Sequence, residues 1–311
     1  MQLTTPVYIP PAPFSVSYSD VMMSMGSCFS DNIGQCMQNA FFHIEVNPWG
    51  ILFNPASIAL ALQRVLDGTP YQESDLVCSD GLWHSPAHHG SFSCSSAEET
   101  LRLVNGTLQT MHTHLKKTNR LLLTFGTAWV YERNGQVVAN CHKLPSQQFV
   151  RRRMTVEEIV QQYTILIQRL LALQPSLKII FTVSPIRHLK DGLHENQLSK
   201  ATLLMAVEEL CEKFVNVTYF PAYEIVLDEL RDYRFYAEDM THPSAQVVQY
   251  IWKKFCNTYM DASVCELVGQ AEQIQRKLSH RPLYPNSQKA DEFKQKALME
   301  AANFKELINN L

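Results

Sequence analysis

Apolar stretches of strand length alternate with segments of helical spacing along most of this chain, and that alternation is what most limits its fold. Tyr18 to Met25 is rich in Val, Met and Ser and ends in the small residues Gly26-Ser27. Asn32 to Phe42 then places Ile33, Cys36, Met37 and Ala40 on one side of a helix. Pro55-Ala56-Ser57 opens a second helix, carrying Ile58, Leu62 and Val65, which Gly68-Thr69-Pro70 ends. Further helices are predicted over Ala97 to Thr113, from the capping-box pattern Thr155-Val156-Glu157-Glu158, over Ser199 to Phe214 and over Ala245 to Met260. Between them lie strands over Arg120 to Phe125, Leu177 to Val183 and Val215 to Phe220. Trp129-Val130-Tyr131 turns through Arg133-Asn134-Gly135 into Val137-Val138-Ala139 as a hairpin. Strands separated by helices pair in parallel, so the expected fold is α/β, a mostly parallel sheet with helices on both faces. In such sheets functional groups gather just beyond the carboxyl ends of the strands.

The rest of the chain is less periodic. Tyr71 to Ser96, rich in Ser, His, Gly and Cys, is expected to be a long loop or small β insertion. Residues 261 to 311 read as a helical, polar tail broken at His280-Arg281-Pro282-Leu283-Tyr284-Pro285, and no internal repeat is evident.

Composition sets limits on function. With 46% hydrophobic and 18% charged residues in 311, the chain has material for a sizeable core. A net charge of −3, with no basic stripe beyond Arg151-Arg152-Arg153, excludes general nucleic-acid binding. That arginine run reads as a solvated stretch before a helix, with contact to phosphate or an acidic sugar as the alternative. Met1 to Pro13 lacks the basic, apolar and small-residue order of a secretory leader. Apolar runs such as Ile179 to Val183 fall far short of the about 20 residues a membrane helix needs. A soluble, cytoplasmic protein with no membrane partner is expected. Eight scattered cysteines without a C-x-x-C pair predict reduced thiols.

Gly26-Ser27-Cys28-Phe29 places a nucleophile at a strand-to-helix turn. Helix N-terminal amides there would lower a thiol's pKa and bind an oxyanion, although a compact buried cysteine would also fit such a turn. Asp239-Met240-Thr241-His242-Pro243-Ser244 puts a carboxylate three residues before a histidine, in a loop that starts a helix. Such a carboxylate holds the imidazole tautomer and turns its other nitrogen to a nucleophile; a helix-capping turn with an incidental histidine is the plainer alternative. Trp83-His84 followed by His88-His89 is not a metal site, because Pro86 and Gly90 prevent the helix that would bring these histidines to one face. These histidines, His88 and His89 among them, are expected to line the site or hydrogen-bond its loop. His142 with Lys143, and Arg187 with His188, follow strands and could offer cations to an anionic substrate group, structural ion pairing being the alternative.

Together, the early turn and the late Asp-x-x-His resemble the first and last blocks of the SGNH/GDSL hydrolase superfamily, Gly-Asp-Ser and Asp-x-x-His. More closely, Gly26-Ser27-Cys28-Phe29-Ser30 resembles the signature of the GSCFA-domain family, with Ser30 where that pentapeptide has Ala. The similarity runs over residues 20 to 260 and takes in Asn47-Pro48-Trp49-Gly50, Gly126-Thr127-Ala128-Trp129, Asn140-Cys141-His142-Lys143 and Ser184-Pro185-Ile186-Arg187-His188. It implies a three-layer, flavodoxin-like (SGNH-hydrolase-like) domain over residues 1–260, with 71–96 as its insertion and 261–311 as a helical C-terminal extension.

The resemblance also implies an activity: hydrolysis of an acyl ester of a small molecule or carbohydrate, with no cofactor. Acyl transfer by the same residues, or non-catalytic binding of a glycan or acyl group, are the rival readings. Laid without a gap, the Gly-Asp-Ser block sets Cys28 on the nucleophilic serine and Ser27 on the aspartate, so Cys28 is the preferred nucleophile and Ser27 the second. His242 is then the base and Asp239 its orienting acid. Gly50 matches the superfamily's oxyanion glycine. Its oxyanion asparagine has no match, because the expected Gly-x-Asn reads Gly126-Thr127-Ala128; Thr127 or Asn140 would stand in, Asn140 preferred for its amide donor.

Overall fold

The computed structural model describes residues 4–284 and 287–311, so Pro285 of the predicted break and Met1 to Leu3 of the N-terminal stretch lie outside the described residues. The chain runs through β1 (Met22–Gly26), α1 (Cys28–Asn39), β2 (Ile44–Val46) and α2 (Pro55–Asp67) into the hairpin β3 (Val77–Ser79) and β4 (Leu82–His84). It continues through α3 (Ala97–Leu115), β5 (Arg120–Phe125), β6 (Trp129–Arg133), β7 (Gln136–Val138) and β8 (Val150–Arg153). Then come α4 (Val156–Leu173), β9 (Lys178–Val183), α5 (Leu193–Lys213), β10 (Val217–Tyr219) and the short α6 (Ala222–Glu224). The last elements are α7 (Ala245–Tyr259), α8 (Ala262–Leu278) and α9 (Gln288–Asn309).

Five strands form the parallel central sheet in the order β10-β9-β5-β1-β2. Starting in the middle and winding outward both ways is the flavodoxin-like order. Strand residues alternate between two cores, as a period of two requires. Met23, Met25, Leu121, Leu123 and Phe181 pack with α2, α3, α4 and α5 on one face. Met22, Leu122 and Ile180 pack with α1, α7, α8 and α9 on the other. The protein is therefore three-layered, and its central strands are largely apolar because both faces are buried.

Several local expectations shift. Helix α1 starts at Cys28 rather than Asn32, because the Ser27 hydroxyl accepts the Phe29 N–H at 3.3 Å as its N-cap. Helix α5 starts at Leu193 rather than Ser199, behind Gly192 at φ 81°, a cap with no side chain to mark it. The run Arg151 to Arg153 is not a solvated stretch but strand β8, paired with β6. Each arginine there has an acid: Arg151 meets Asp191, Arg152 meets Glu132 and Glu158, and Arg153 meets Glu195. Residues 71–96 hold the β3–β4 hairpin and short 3-10 turns. The tail helices α8 and α9 bury Val268, Ile274, Phe304 and Ile308 in the core that they share with α1 and α7. All eight cysteines are free thiols. No helix among the described residues is long and apolar enough to cross a membrane.

Candidate active site

Strand β1 delivers Gly26 at φ 149°, where a Cβ would lie 2.2 Å from the Thr124 carbonyl oxygen. Only glycine lets β1 and β5 close this tightly at their carboxyl ends. The next two residues divide their work. Ser27 is 2% exposed and spends its hydroxyl on the cap, while Cys28 is the first residue of α1 and half-buried. Burial pushes the Cys28 thiol up, a backbone hydrogen bond opposes this, and the nearby Asp31 carboxylate adds to the rise. The thiol is thus not depressed by the helix N-terminus as expected, because desolvation outweighs it. Asn47 braces the turn, accepting the Gly26 N–H at 2.8 Å and donating to Asp31 at 2.5 Å.

Asp239 and His242 stand on the loop that enters α7. His242 Nδ1 lies 2.5 Å from Asp239 Oδ2, and Asp239 Oδ1 accepts the His242 and Thr241 backbone N–H groups, each at 2.9 Å. These bonds, the His242 backbone N–H first, hold the Asp239 carboxyl well below the usual carboxylate range. The loop is closed on itself by the Ala237 N–H to the His242 carbonyl, 2.8 Å, and by a Tyr236–Pro243 bridge. Arg187 latches it from the β9 side, donating to the Met240 carbonyl and lying 4.6 Å over the Tyr236 ring. Its role is therefore to hold the loop as well as to face the cavity.

One cavity of about 790 Å³ is lined by Ser27 and Cys28 from the turn and by Asp239 and His242 from the loop. It opens where β1, β5 and β9 end, so both sequence motifs meet at the expected edge of the sheet. Among the described residues, the His242 ring bonds to Asp239 and Thr241 and makes no hydrogen bond to Ser27 or Cys28. Thr127, Asn140, His89, Arg187 and His188 line the same cavity. Thr127 Oγ1 is 3.1 Å from Ser199 Oγ and accepts the Trp129 N–H at 3.2 Å. Asn140 uses its carbonyl oxygen on the His142 N–H, 2.9 Å, which leaves its amide nitrogen for a ligand.

Other predicted residues lie off the cavity. The Gly50 N–H is committed to the Asn47 carbonyl at 2.7 Å, so it is not offered as an oxyanion donor here. What position 50 requires is room, since a Cβ there would fall 2.3 Å from that of His89. His88 is fully buried, bonded to Ser85 at 2.8 Å, and burial pushes it down to about 3. The His142 ring meets the Ser85 carbonyl at 2.8 Å and stacks on His84. Lys143 is exposed on a turn at φ 57°. His88 is thus placed structurally within the 71–96 insertion, Gly50 and His142 in turns packed against it, and Lys143 faces solvent.

Sequence reasoning missed a set on α5. Asn196, Ser199 and Lys200 are all buried, and between them they hold two loops of the cavity floor, 126–128 and 184–188. Asn196 accepts the His188 N–H at 3.0 Å and Ser199 the Ala128 N–H at 2.8 Å. Lys200 donates to the Gly126 and Ser184 carbonyls, both at 2.6 Å. Their spacing puts them on one helix face, but only a helix known to begin before Asn196 would have shown it. Trp129, Tyr131 and Arg151 form a wall in which the guanidinium lies 4.3 Å over the indole.

A doubly wound parallel sheet with an open cleft at its carboxyl edge, between a capped Ser-Cys turn and an Asp-His loop, defines the class as three-layer α/β. The chain belongs to the GSCFA family, whose model matches residues 21–255. Two solved structures share low likeness with it. One, described as a "putative platelet activating factor" from Streptococcus pneumonia, is 13% identical, with a TM-score of 0.37 over 77% of this chain and 84% of that one. The other, a carbohydrate esterase family 3 protein from Talaromyces cellulolyticus, is 10% identical, with a TM-score of 0.33 over 80% of this chain and 98% of that one. No curated protein matches the chain.

Proposed function

We propose that the protein is an acyl-ester hydrolase, acting on an acylated small molecule or carbohydrate through Cys28, His242 and Asp239. The observation that carries this is the shared cavity: the turn and the Asp-His pair, more than 200 residues apart in sequence, line one cleft. Cys28 is favoured over Ser27 because the serine is buried and engaged as the cap.

The chemistry follows from the protonation states. Burial keeps the Cys28 thiol protonated at neutral pH, so attack needs a base. His242 takes that proton on Nε2 as Sγ bonds to the acyl carbon, and the ionised Asp239 fixes the tautomer through Nδ1. Collapse expels the alcohol, which receives the proton, and water then cleaves the thioester. The Cys28 N–H, in the first turn of α1 and free of an intrahelical partner, is the oxyanion donor of the turn in this scheme. Arg187 and Lys190 offer cations to an anionic substrate group on a wall that also carries Asp191, itself paired to Arg151.

The test is turnover of 4-methylumbelliferyl acetate with intact-mass detection of the acetyl adduct. Cys28→Ala is expected to abolish both, Ser27→Ala to keep the adduct, and His242→Ala to slow acylation by about 10² to 10⁴. An adduct that survives Cys28→Ala but not Ser27→Ala moves the nucleophile to the serine. A wild-type protein that never acylates with any short acyl ester makes the cavity a binding site only.

A further inference from the structure

The superfamily's oxyanion asparagine has no counterpart at Ala128, the Gly50 amide is bonded within its own turn, and the Thr127 hydroxyl is shared between Ser199 and the Trp129 N–H. The Cys28 N–H remains, and the free Asn140 amide lines the cavity without a contact to the nucleophile turn, so a second donor set against that turn is still to be assigned. We propose that His188 is that donor: its imidazole N–H takes up the oxyanion when Cys28 attacks. This rests on the acyl-ester reading given above.

The geometry is local to Gly126. The point where a Cβ would stand on Gly126 lies 3.2 Å from Ser27 Cβ and 3.5 Å from His188 Nε2. The imidazole and the nucleophile turn thus flank one glycine, whose missing side chain lets both approach it this closely, with the Phe53 carbonyl oxygen 2.9 Å from the same point and already accepting the Gly126 and Thr127 N–H groups. The ring is held edge-on to Phe53 with centroids 5.9 Å apart, and its backbone N–H is fixed by Asn196 at 3.0 Å. Among the described residues neither ring nitrogen has a hydrogen-bond partner, although the residue lines the cavity. A half-buried imidazole with both nitrogens unspent is available to a ligand.

Its protonation state selects a donor's role over a base's. Burial first, then the cationic Lys200 below it, push His188 down to about 4, with Asp191 opposing and Arg151 and His242 assisting. At neutral pH the ring is uncharged, with one N–H to give and little affinity for a further proton. A base works best with a pKa near the operating pH, and His242 already has the carboxylate that a base requires. A preset neutral N–H in a partly dry site costs little reorganisation when charge appears. Lys200 is the positioning residue, pinning the Gly126 and Ser184 carbonyls that carry the β5 and β9 ends toward His188. In the step itself the thiol proton goes to His242, the carbonyl π pair moves onto oxygen, and His188 shares its proton without releasing it.

The experiment compares two reactions of the same nucleophile. Acylation by p-nitrophenyl acetate builds an oxyanion; alkylation by iodoacetamide, a displacement at saturated carbon, builds none. His188→Ala is expected to slow acylation of Cys28 about 100-fold, and His188→Gln, which keeps an N–H donor, to recover about tenfold of that. Alkylation of Cys28 is expected to be unchanged in both variants. Acylation that is unaffected in His188→Ala, or alkylation that falls along with it, overturns the donor role. Wild-type protein not acylated at all sinks the acyl-ester reading instead, and the donor role with it.

Discussion

Lys200 is a fully buried amine with no carboxylate beside it among the described residues, and burial pushes it down to about 7. In its neutral form it has two N–H groups, which match the two carbonyls it meets. Because the folded value lies below the ordinary 10.5 of a lysine, the unfolded chain binds more protons between these values, and stability rises with pH across that window. Lys200→Met removes this titration. Wild-type protein is therefore expected to gain about 2 kcal/mol relative to the variant between pH 7 and pH 9, read from urea unfolding at each pH. Curves that stay parallel would mean the amine titrates normally. At the base, Asp239→Asn leaves an oxygen to accept the Thr241 and His242 backbone N–H groups, but an amide N–H now meets His242 Nδ1. The fold should keep its Tm while turnover drops by about 10³ to 10⁴, because the wrong tautomer is held. Equal losses of Tm and turnover would make Asp239 a structural cap only.

At the scale of elements, two glycines make opposite predictions. Gly26→Ala drives a Cβ into the Thr124 carbonyl at a contact no relaxation of a flexible side chain can relieve, so β1 and β5 must part. Loss of soluble folded protein is expected, measured by circular dichroism of the expressed variant. Gly106 sits exposed within α3 with open space around it, and Gly106→Ala is expected to stabilise by about 0.5 to 1 kcal/mol in urea titration. The same contrast explains what the sequence disclosed. Elements with strong periodicity, such as α2, α4, β5 and β9, were legible because local pattern and burial agree. Strand β8 was not, since three consecutive arginines become a strand only when acids from β6, α4 and the α5 region arrive to meet them. In the site, the Ser-Cys turn and the Asp-His loop are short motifs that carry their own geometry. The uses of Gly50 and His142 depend on which turn or stack each N–H is spent in, and the buried face of α5 depends on a glycine cap; neither leaves a mark on composition.

For the whole molecule, the question is whether α8 and α9 are an attachment or part of the body. Helix α1, which presents Cys28, lies between the sheet and this tail. Its neighbours Tyr18 and Phe41 meet Phe304 of α9 with ring centroids 6.1 and 5.5 Å apart, and the α7 indole of Trp252 donates to Glu272 of α8 at 3.1 Å. Removing residues 261–311 would uncover Cys36, Phe41 and Trp252 together, each an apolar group that α8 and α9 now help keep from water. A single shared core also means that the tail cannot unfold without weakening the helix that holds the nucleophile. The full chain is therefore expected to melt in one transition. A chain ending at Met260 is expected to have a lower Tm, to bind the dye ANS and to lose acylation of Cys28. Should that shorter chain melt at the same temperature without binding the dye, the tail would be an independent unit resting on a complete domain, and α1 would owe its position to the sheet alone.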